Sequence, residues 1–427
     1  MKRCRSQSLS APRQNQSTQS PPIIPLHHRC LLIRRVTAHC SAMDFSPFNL
    51  LPQETIHQIF AHLPLRQISA AKCVCKALHS ALSSPAFLHL LRAQTIPLFL
   101  LALKPSNRHV SPHPTLHAFD PSSNQWLRFS LSFLPFSSLH PITSSHGLLY
   151  LWGSQPTSQG SCTTLAQSSQ KALVVCNPLT SQYRILPQLG SAWSRHGSVL
   201  AGSLSVVLVL TELAVLYYSE NRSLKCDNLG SCVSNNWLKF SSNLPSKPRS
   251  PVLVSNFMLV LCDLGSPWRS QWAMFKTEIG SADKIQHWIR MEKREWGDIF
   301  DILRRPRLVK AGNEKKLYMV GGLKSSYVLQ SACSTILILR LDLESLEWEE
   351  AGRMPVEMYR CFLKSSKFKV FGGGDKICFS AKRVGRLALW EENADGKAEW
   401  RWAEGVPVGG DGLCRGFVFE ARLEAAP

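Results

Sequence analysis

The 427-residue chain carries 14 cysteines and 14 histidines, so spacing decides whether any of them could act together as ligands or nucleophiles. Cys73 and Cys75 stand two apart, Cys226 and Cys232 six apart, and no paired CxxC spacing of a zinc site occurs. His27, His28, Cys30, His39 and Cys40 are potential ligands, but they sit in a polar tail. His113 and His117, and His140 and His146, fall in loop-like contexts where a solvated imidazole is the ordinary outcome. There is no G-x-S-x-G elbow, no H-E-x-x-H pair and no G-x-x-x-x-G-K-S/T loop. Gly372-Gly373-Gly374-Asp375-Lys376 is glycine-rich but lacks the phosphate loop's spacing, and it reads as the glycine end of a strand. No catalytic residue, metal site or cofactor is therefore expected. Most of the cysteines read as buried thiols of a reducing compartment.

The densest pattern lies in residues 45–92. Leu51-Pro52 opens a helix, since proline has no N–H to lose at the first helical position. Ile56, Ile59, Phe60 and Leu63 then recur at the spacing of one apolar helical face, and Pro64 stops the helix. A second short helix carries Ile68 and Ala71. A third carries Val74, Leu78 and Leu82 in steps of four, and Ser84-Pro85 closes the group ahead of Phe87, Leu88, Leu90 and Leu91. About forty residues make a small core for a free-standing domain, and such a helical group usually finds its missing apolar burial on a partner.

In order, Leu51, Pro52, Glu54, Ile59, Phe60, Leu63, Pro64, Val74, Cys75, Lys76, Pro85 and Phe87 resemble the F-box. Leu78 departs from it, standing where that family usually has tryptophan. The resemblance implies docking on the Skp-type adaptor of a cullin-RING ubiquitin ligase. It assigns Leu51, Pro52, Ile56, Ile59, Leu63, Pro64, Val74 and Lys76 to that contact or to its support, with Ile59 and Val74 as candidates for internal core. An ordinary three-helix bundle is the alternative that spacing alone leaves open.

The remainder is long enough for a second domain. Hydrophobic residues make up 44% and charged residues 18%, which favours strands and turns over long surface helices. The net charge is +20, of which residues 1–42 supply seven with no acid. A basic surface attracts nucleic acid, anionic lipid or an acidic protein. No aromatic-basic interleaving accompanies it, so nucleic acid is not the expected partner. Residues 1–42 read as a disordered basic tail, as a transit peptide, or as an extension upstream of a functional start at Met43. Organelle import would part an F-box protein from its ligase, which disfavours the transit peptide.

From residue 96 to 427 the apolar runs are short and bounded by turn residues. Val199 to Tyr218 has the length of a membrane span, but Glu212 interrupts it. Val206 to Leu210 and Leu213 to Tyr218 read instead as a buried hairpin, and no membrane segment is expected.

A unit recurs in which an apolar strand and a turn precede an aromatic, at Trp126, Tyr183, Trp237, Trp288, Trp348 and Trp402. The intervals run from 51 to 60 residues, the size of one four-stranded propeller blade. Asp120-Pro121 and Asn177-Pro178 would join the outer strands of their blades, and each aromatic would pack between blades. Six units imply six blades, with five or seven as alternatives. Phe417-Val418-Phe419 would return to close the first. Residues 283–305 interrupt the pattern, either as a loop with a short helix packed between blades or as a rim element contacting substrate. The repeat is similar to kelch and to the F-box-associated repeats of plant F-box proteins, and Gly321-Gly322 and Gly372-Gly373 resemble the kelch diglycine.

The expected architecture is thus a three-helix F-box followed by an all-β, six-bladed, kelch-like propeller. The resemblance implies a non-catalytic substrate receptor of an SCF-type ligase in the nucleus or cytoplasm. It would join cullin and RING subunits through the adaptor and hold an unknown substrate protein on the propeller face. The rival readings are a propeller enzyme or small-ligand sensor with structural helices, and a basic scaffold for nucleic acid.

Overall fold

The computed structural model describes residues 24–25, 51–94, 97–104, 114–154, 171–202, 206–219, 237–279, 285, 287–312, 314–325, 333–363, 365, 368–393, 395–407 and 412–427. The basic tail apart from residues 24–25, Met43, and Cys226 and Cys232 lie outside them. Four helices lead: α1 (Gln53–Ala61), α2 (Leu65–Ala71), α3 (Lys76–Ala81) and α4 (Pro85–Gln94). The prolines act differently from expectation. Pro52 and Pro64 are both N-cap residues, and their carbonyls accept the N–H groups of Thr55 and Ile56, and of Gln67 and Ile68. Pro64 therefore starts α2, α1 having ended at Ala61. Pro85 does not close the group either. It is the first residue of a fourth helix, where its missing N–H would have had no partner anyway.

Six sheets follow, each a blade. The innermost strands are Arg415–Ala421 in blade one, then Ser138–Ser145, Ser198–Ala201, Arg249–Val254, Leu303–Lys310 and Phe368–Gly373 in blades two to six. The last strand of the chain pairs antiparallel with Leu98–Lys104, setting Phe419 opposite Leu100. The ring is closed as the sequence predicts, and closure removes two open edges at once. At the outer edge of blade one, Ile24–Pro25 adds a short parallel pairing to Leu127 and Arg128.

The propeller core is six apolar layers, one between each pair of neighbouring blades. In Leu98–Lys104, Leu100 and Ala102 pack with blade two, while Leu101 and Leu103 pack with blade six. Both faces of such a strand are buried, which is why these strands read as unbroken apolar runs rather than alternating ones. The proposed membrane-length run is a hairpin of Val206–Leu210 and Ala214–Ser219, in register Leu210 to Val215. Among the described residues no helix is long and apolar enough to cross a membrane. The run from Val252 to Cys262 is two strands, split at a turn where Ser255 takes φ 50°.

Asp120-Pro121 and Asn177-Pro178 do join outer strands. The repeated aromatics mostly seal the layers. Trp126 donates its indole N–H to the Glu404 carbonyl across the blade one–six seam (2.8 Å), and Trp237 donates to Pro187 across the two–three seam (3.0 Å). Tyr183 differs: it is exposed, on a strand whose blade-two position meets Phe133 rather than a third blade. The loop ahead of blade five holds a 3-10 turn, Arg294–Trp296, with Trp296 buried between blades and bonded to the Leu346 carbonyl. The two diglycines are not equivalent. Gly321-Gly322 lies in the second strand of blade five, and Gly372-Gly373 ends the inner strand of blade six, with Gly372 at φ 155°.

Phe419 is fully buried and meets Phe129 edge-on at 5.7 Å. Phe419→Ala is expected to lower the unfolding free energy by about 3–5 kcal/mol, measured by urea denaturation of the full chain.

Candidate functional site

The helix group is held from below. α1 turns His57, Phe60 and Ala61 inward, α2 turns Leu65 and Ile68, and α3 turns Leu78. Leu82, Phe87 and Leu91 complete the inner face. The apolar side chains among them do not form a core of their own. They belong to one continuous apolar cluster with Leu116, Leu127 and Phe129 of blade one, Leu149 and Leu151 of blade two, and Phe417 and Phe419 of the closing strand. Small helical groups lack the volume to bury themselves, and here the propeller supplies part of what is missing.

A polar clamp accompanies the shared core. One Arg66 guanidinium nitrogen lies 3.3 Å from an Asp120 carboxylate oxygen and donates to Ser123 Oγ at 2.9 Å, while the other donates to Gln125 Oε1 at 2.8 Å. Asp120 is buried and also accepts from the Ser122 N–H and from the hydroxyls of Ser122 and Ser123. The turn that the sequence marked as joining two outer strands is thus also the receptacle for a helix side chain. A charge buried with hydrogen-bonding partners fixes orientation even where its net stabilisation is modest.

Inside the group, His57 is buried, with 7% of its surface exposed. Its Nε2 lies 3.1 Å from the Ala81 carbonyl and 3.2 Å from Ser84 Oγ, and its ring lies 5.4 Å from that of Phe87. Imidazole thereby ties α1 to the α3–α4 junction.

The outward face carries the site residues expected from sequence, and their placement sorts them. Leu51, Ile59 and Val74 are exposed to 40%, 46% and 68%. Pro52, Pro64 and Lys76 are exposed as well. Ile56 and Leu63 are half-buried and pack against the shared core, so they support the face rather than form it. Ile59 and Val74 were candidates for internal core. They are instead among the most exposed apolar side chains, because His57 and Phe60 take the inward side of α1 and Val74 lies in the turn before α3. Cys75 caps α3, its Sγ accepting the Leu78 N–H at 3.4 Å. Exposed apolar side chains of this kind are suited to binding another polypeptide. Among the described residues no group of three or more histidine, cysteine or acidic side chains could hold a metal ion.

Sequence reasoning missed Arg66 and His57. His57 sits two residues ahead of the exposed Ile59 and reads as a surface polar residue. The partners of Arg66 are 54 to 59 residues away, so no local signal marks it.

Comparison with known proteins places the chain among F-box proteins. The F-box-like family profile matches residues 48–90. The chain is 55% identical to SKP1-interacting partner 15 of Arabidopsis thaliana over 90% of this chain and all of that protein. It is 24% identical to an F-box/kelch-repeat protein of Arabidopsis thaliana, covering 90% and 91%, and 22% identical to Protein UNUSUAL FLORAL ORGANS of the same plant, covering 87% and 81%. Among solved structures, TolB from Acinetobacter baumannii aligns with a TM-score of 0.44 at 9% identity, covering 75% of this chain and 66% of that one.

Two substitutions test the clamp and the buried imidazole. Arg66→Ala is expected to speed amide hydrogen exchange in α1 to α4 while leaving exchange in blades three to six unchanged. His57→Ala is expected to destabilise the chain by about 1–3 kcal/mol, read from the thermal midpoint.

Proposed function

This chain belongs to the F-box protein family, and on that premise we propose that it is the substrate-recognition subunit of an SCF-type ubiquitin ligase. The observation that carries the reading is the outward apolar face of Leu51, Ile59 and Val74, which the propeller leaves uncovered while it buries the opposite side of the same helices. The relative that shares 55% of its residues over its whole length is named for interaction with SKP1. A Skp-type adaptor is the partner that this face fits, and cullin and RING subunits join through the adaptor. The protein that is to be modified binds the propeller.

In this reading the chain is a non-catalytic receptor. It contributes proximity, raising the effective concentration of an acceptor lysine near the activated ubiquitin. The Arg66 clamp and the shared core give that proximity a fixed geometry, because adaptor and substrate would be held at two ends of one packed body. Its place of work is the nucleus, the cytoplasm or both. Of the eight cysteines among the described residues, Cys176, Cys262, Cys378 and Cys414 are buried and Cys75 is exposed.

Co-elution of the purified chain with a Skp-type adaptor tests the reading. Leu51→Ala with Pro52→Ala, and separately Val74→Asp, are expected to abolish co-elution. Neither should move the thermal midpoint by more than about 2 °C, since all three side chains are exposed. Full adaptor capture by both variants would refute the reading. A chain beginning at Met43 is expected to capture the adaptor as the full chain does, measured side by side by calorimetry.

A further inference from the structure

The two mouths of the propeller's central channel differ in charge. One mouth lies at the end where Lys104 pairs with Arg415, and the Asp120–Gln125 turn gripped by Arg66 is at the opposite end of blade one. At the Lys104 end, Arg249, Arg304, Arg305 and Arg415 are exposed and Arg307 is half-buried. All five lie on the innermost strands of blades one, four and five. Arg249, Arg305 and Arg415 are near enough for their charges to depress the ionisation of Arg307, after burial has done most of that work. Burial also pushes the Lys104 ammonium down to about 8, with Arg415 adding repulsion. None of the five arginines has a carboxylate partner among the described residues. The other mouth is mixed, with Lys310 and Arg422 interspersed with Glu314 and Glu420 around His146.

The backbone at the basic mouth is shaped for this display. The inner strands of blades four and five each carry one extra residue against their neighbours, between Arg249 and Val252 and between Arg304 and Arg307. A proline follows the bulge residue in both, Pro251 after Ser250 and Pro306 after Arg305, and Ser250 and Arg305 take φ of 46° and 54°. Proline has no N–H for the ladder, so the bulge accommodates it and re-aims the residue before it. A positive φ is uncommon at a bulky arginine.

We propose that this mouth binds an acidic, carboxylate-rich segment of the substrate protein. The inference rests on the receptor reading above and names the chemistry of its substrate. Guanidinium groups fork onto carboxylates two bonds at a time, and an incoming anion would relieve a repulsion that the folded chain otherwise carries. The charges converge on a half-buried Arg307 rather than spreading along a track. That geometry suits inserted side chains of a peptide better than the backbone of a nucleic acid duplex.

The test uses the full chain with its adaptor, a fluorescein-labelled decaglutamate peptide, and a random-sequence DNA duplex, read by fluorescence anisotropy. The peptide is expected to bind with an affinity that falls with salt. Arg305→Glu with Arg415→Glu is expected to weaken it by at least about tenfold, and the gentler Arg415→Gln by a smaller factor. Lys310→Glu at the other mouth should leave it unchanged, and thermal midpoints confirm that each variant is folded. Absence of peptide binding, an equal loss in Lys310→Glu, or tighter binding of the duplex than of the peptide would overturn the inference. Adaptor capture is scored on the same samples. Its persistence without peptide binding removes this inference alone, and its loss in the wild-type chain removes the receptor reading.

Discussion

Everything in this chain converges on blade one. Its inner strand comes from the end of the chain and its next three strands from the segment just after the helices, so the ring exists only when Arg415–Ala421 pairs with Leu98–Lys104. The same pairing brings Phe417 and Phe419 beneath the helix group, where they join Phe87, Leu91 and Phe129 in one apolar cluster. Closing the ring and seating the helices are therefore coupled events. A long-range contact of this kind carries a large loop-closure entropy, and the burial of two aromatic layers in one step offsets it.

The coupling fixes how the two parts of the molecule relate. Separate cores joined by a linker would let an adaptor and a substrate wander relative to one another. Here α2 is fixed to the turn of blade one by Arg66, and no spacer intervenes between α4 and the first strand beyond residues 95–97. A receptor whose contribution is proximity benefits from such stiffness, since effective concentration falls when the span between two sites is poorly defined. The division of α1 into an inward side of His57, Phe60 and Ala61 and an outward Ile59 follows from the same packing: one side is buried and the other is exposed.

The two ends of the ring serve this division differently. The strand turns facing the helices hold paired charges and capped carboxylates, which fit a surface fixed to its own chain. At the opposite mouth Arg249, Arg304, Arg305 and Arg307 lie on bulged strands and, with Arg415, have no carboxylate partner among the described residues. Proline in an inner strand would be a defect in a central strand of an open sheet. At the channel wall it falls on a strand edge, where the absent N–H leaves no partner stranded.

Much of this was legible in the residues. The helix group, the six units, their aromatic markers, the hairpin around Glu212 and the return of Phe417 to Phe419 all follow from local spacing, because helix faces, turns and short apolar runs are set by neighbours within a few residues. What spacing left open was which way a side chain faces. Ile59 and Phe60 are adjacent and both apolar, yet one is exposed and the other buried, and only the position of blade one separates them. Leu100 and Leu101 likewise look alike in sequence and pack against different blades. Arg66 and Asp120 meet across 54 residues of chain, and the arginines of blades one, four and five meet only after the ring has closed. Local chemistry in the sequence determined the elements; the long-range pairing of the first strand with the last decided which surfaces remain for partners, because burial is a property of the whole packed body and not of any one segment.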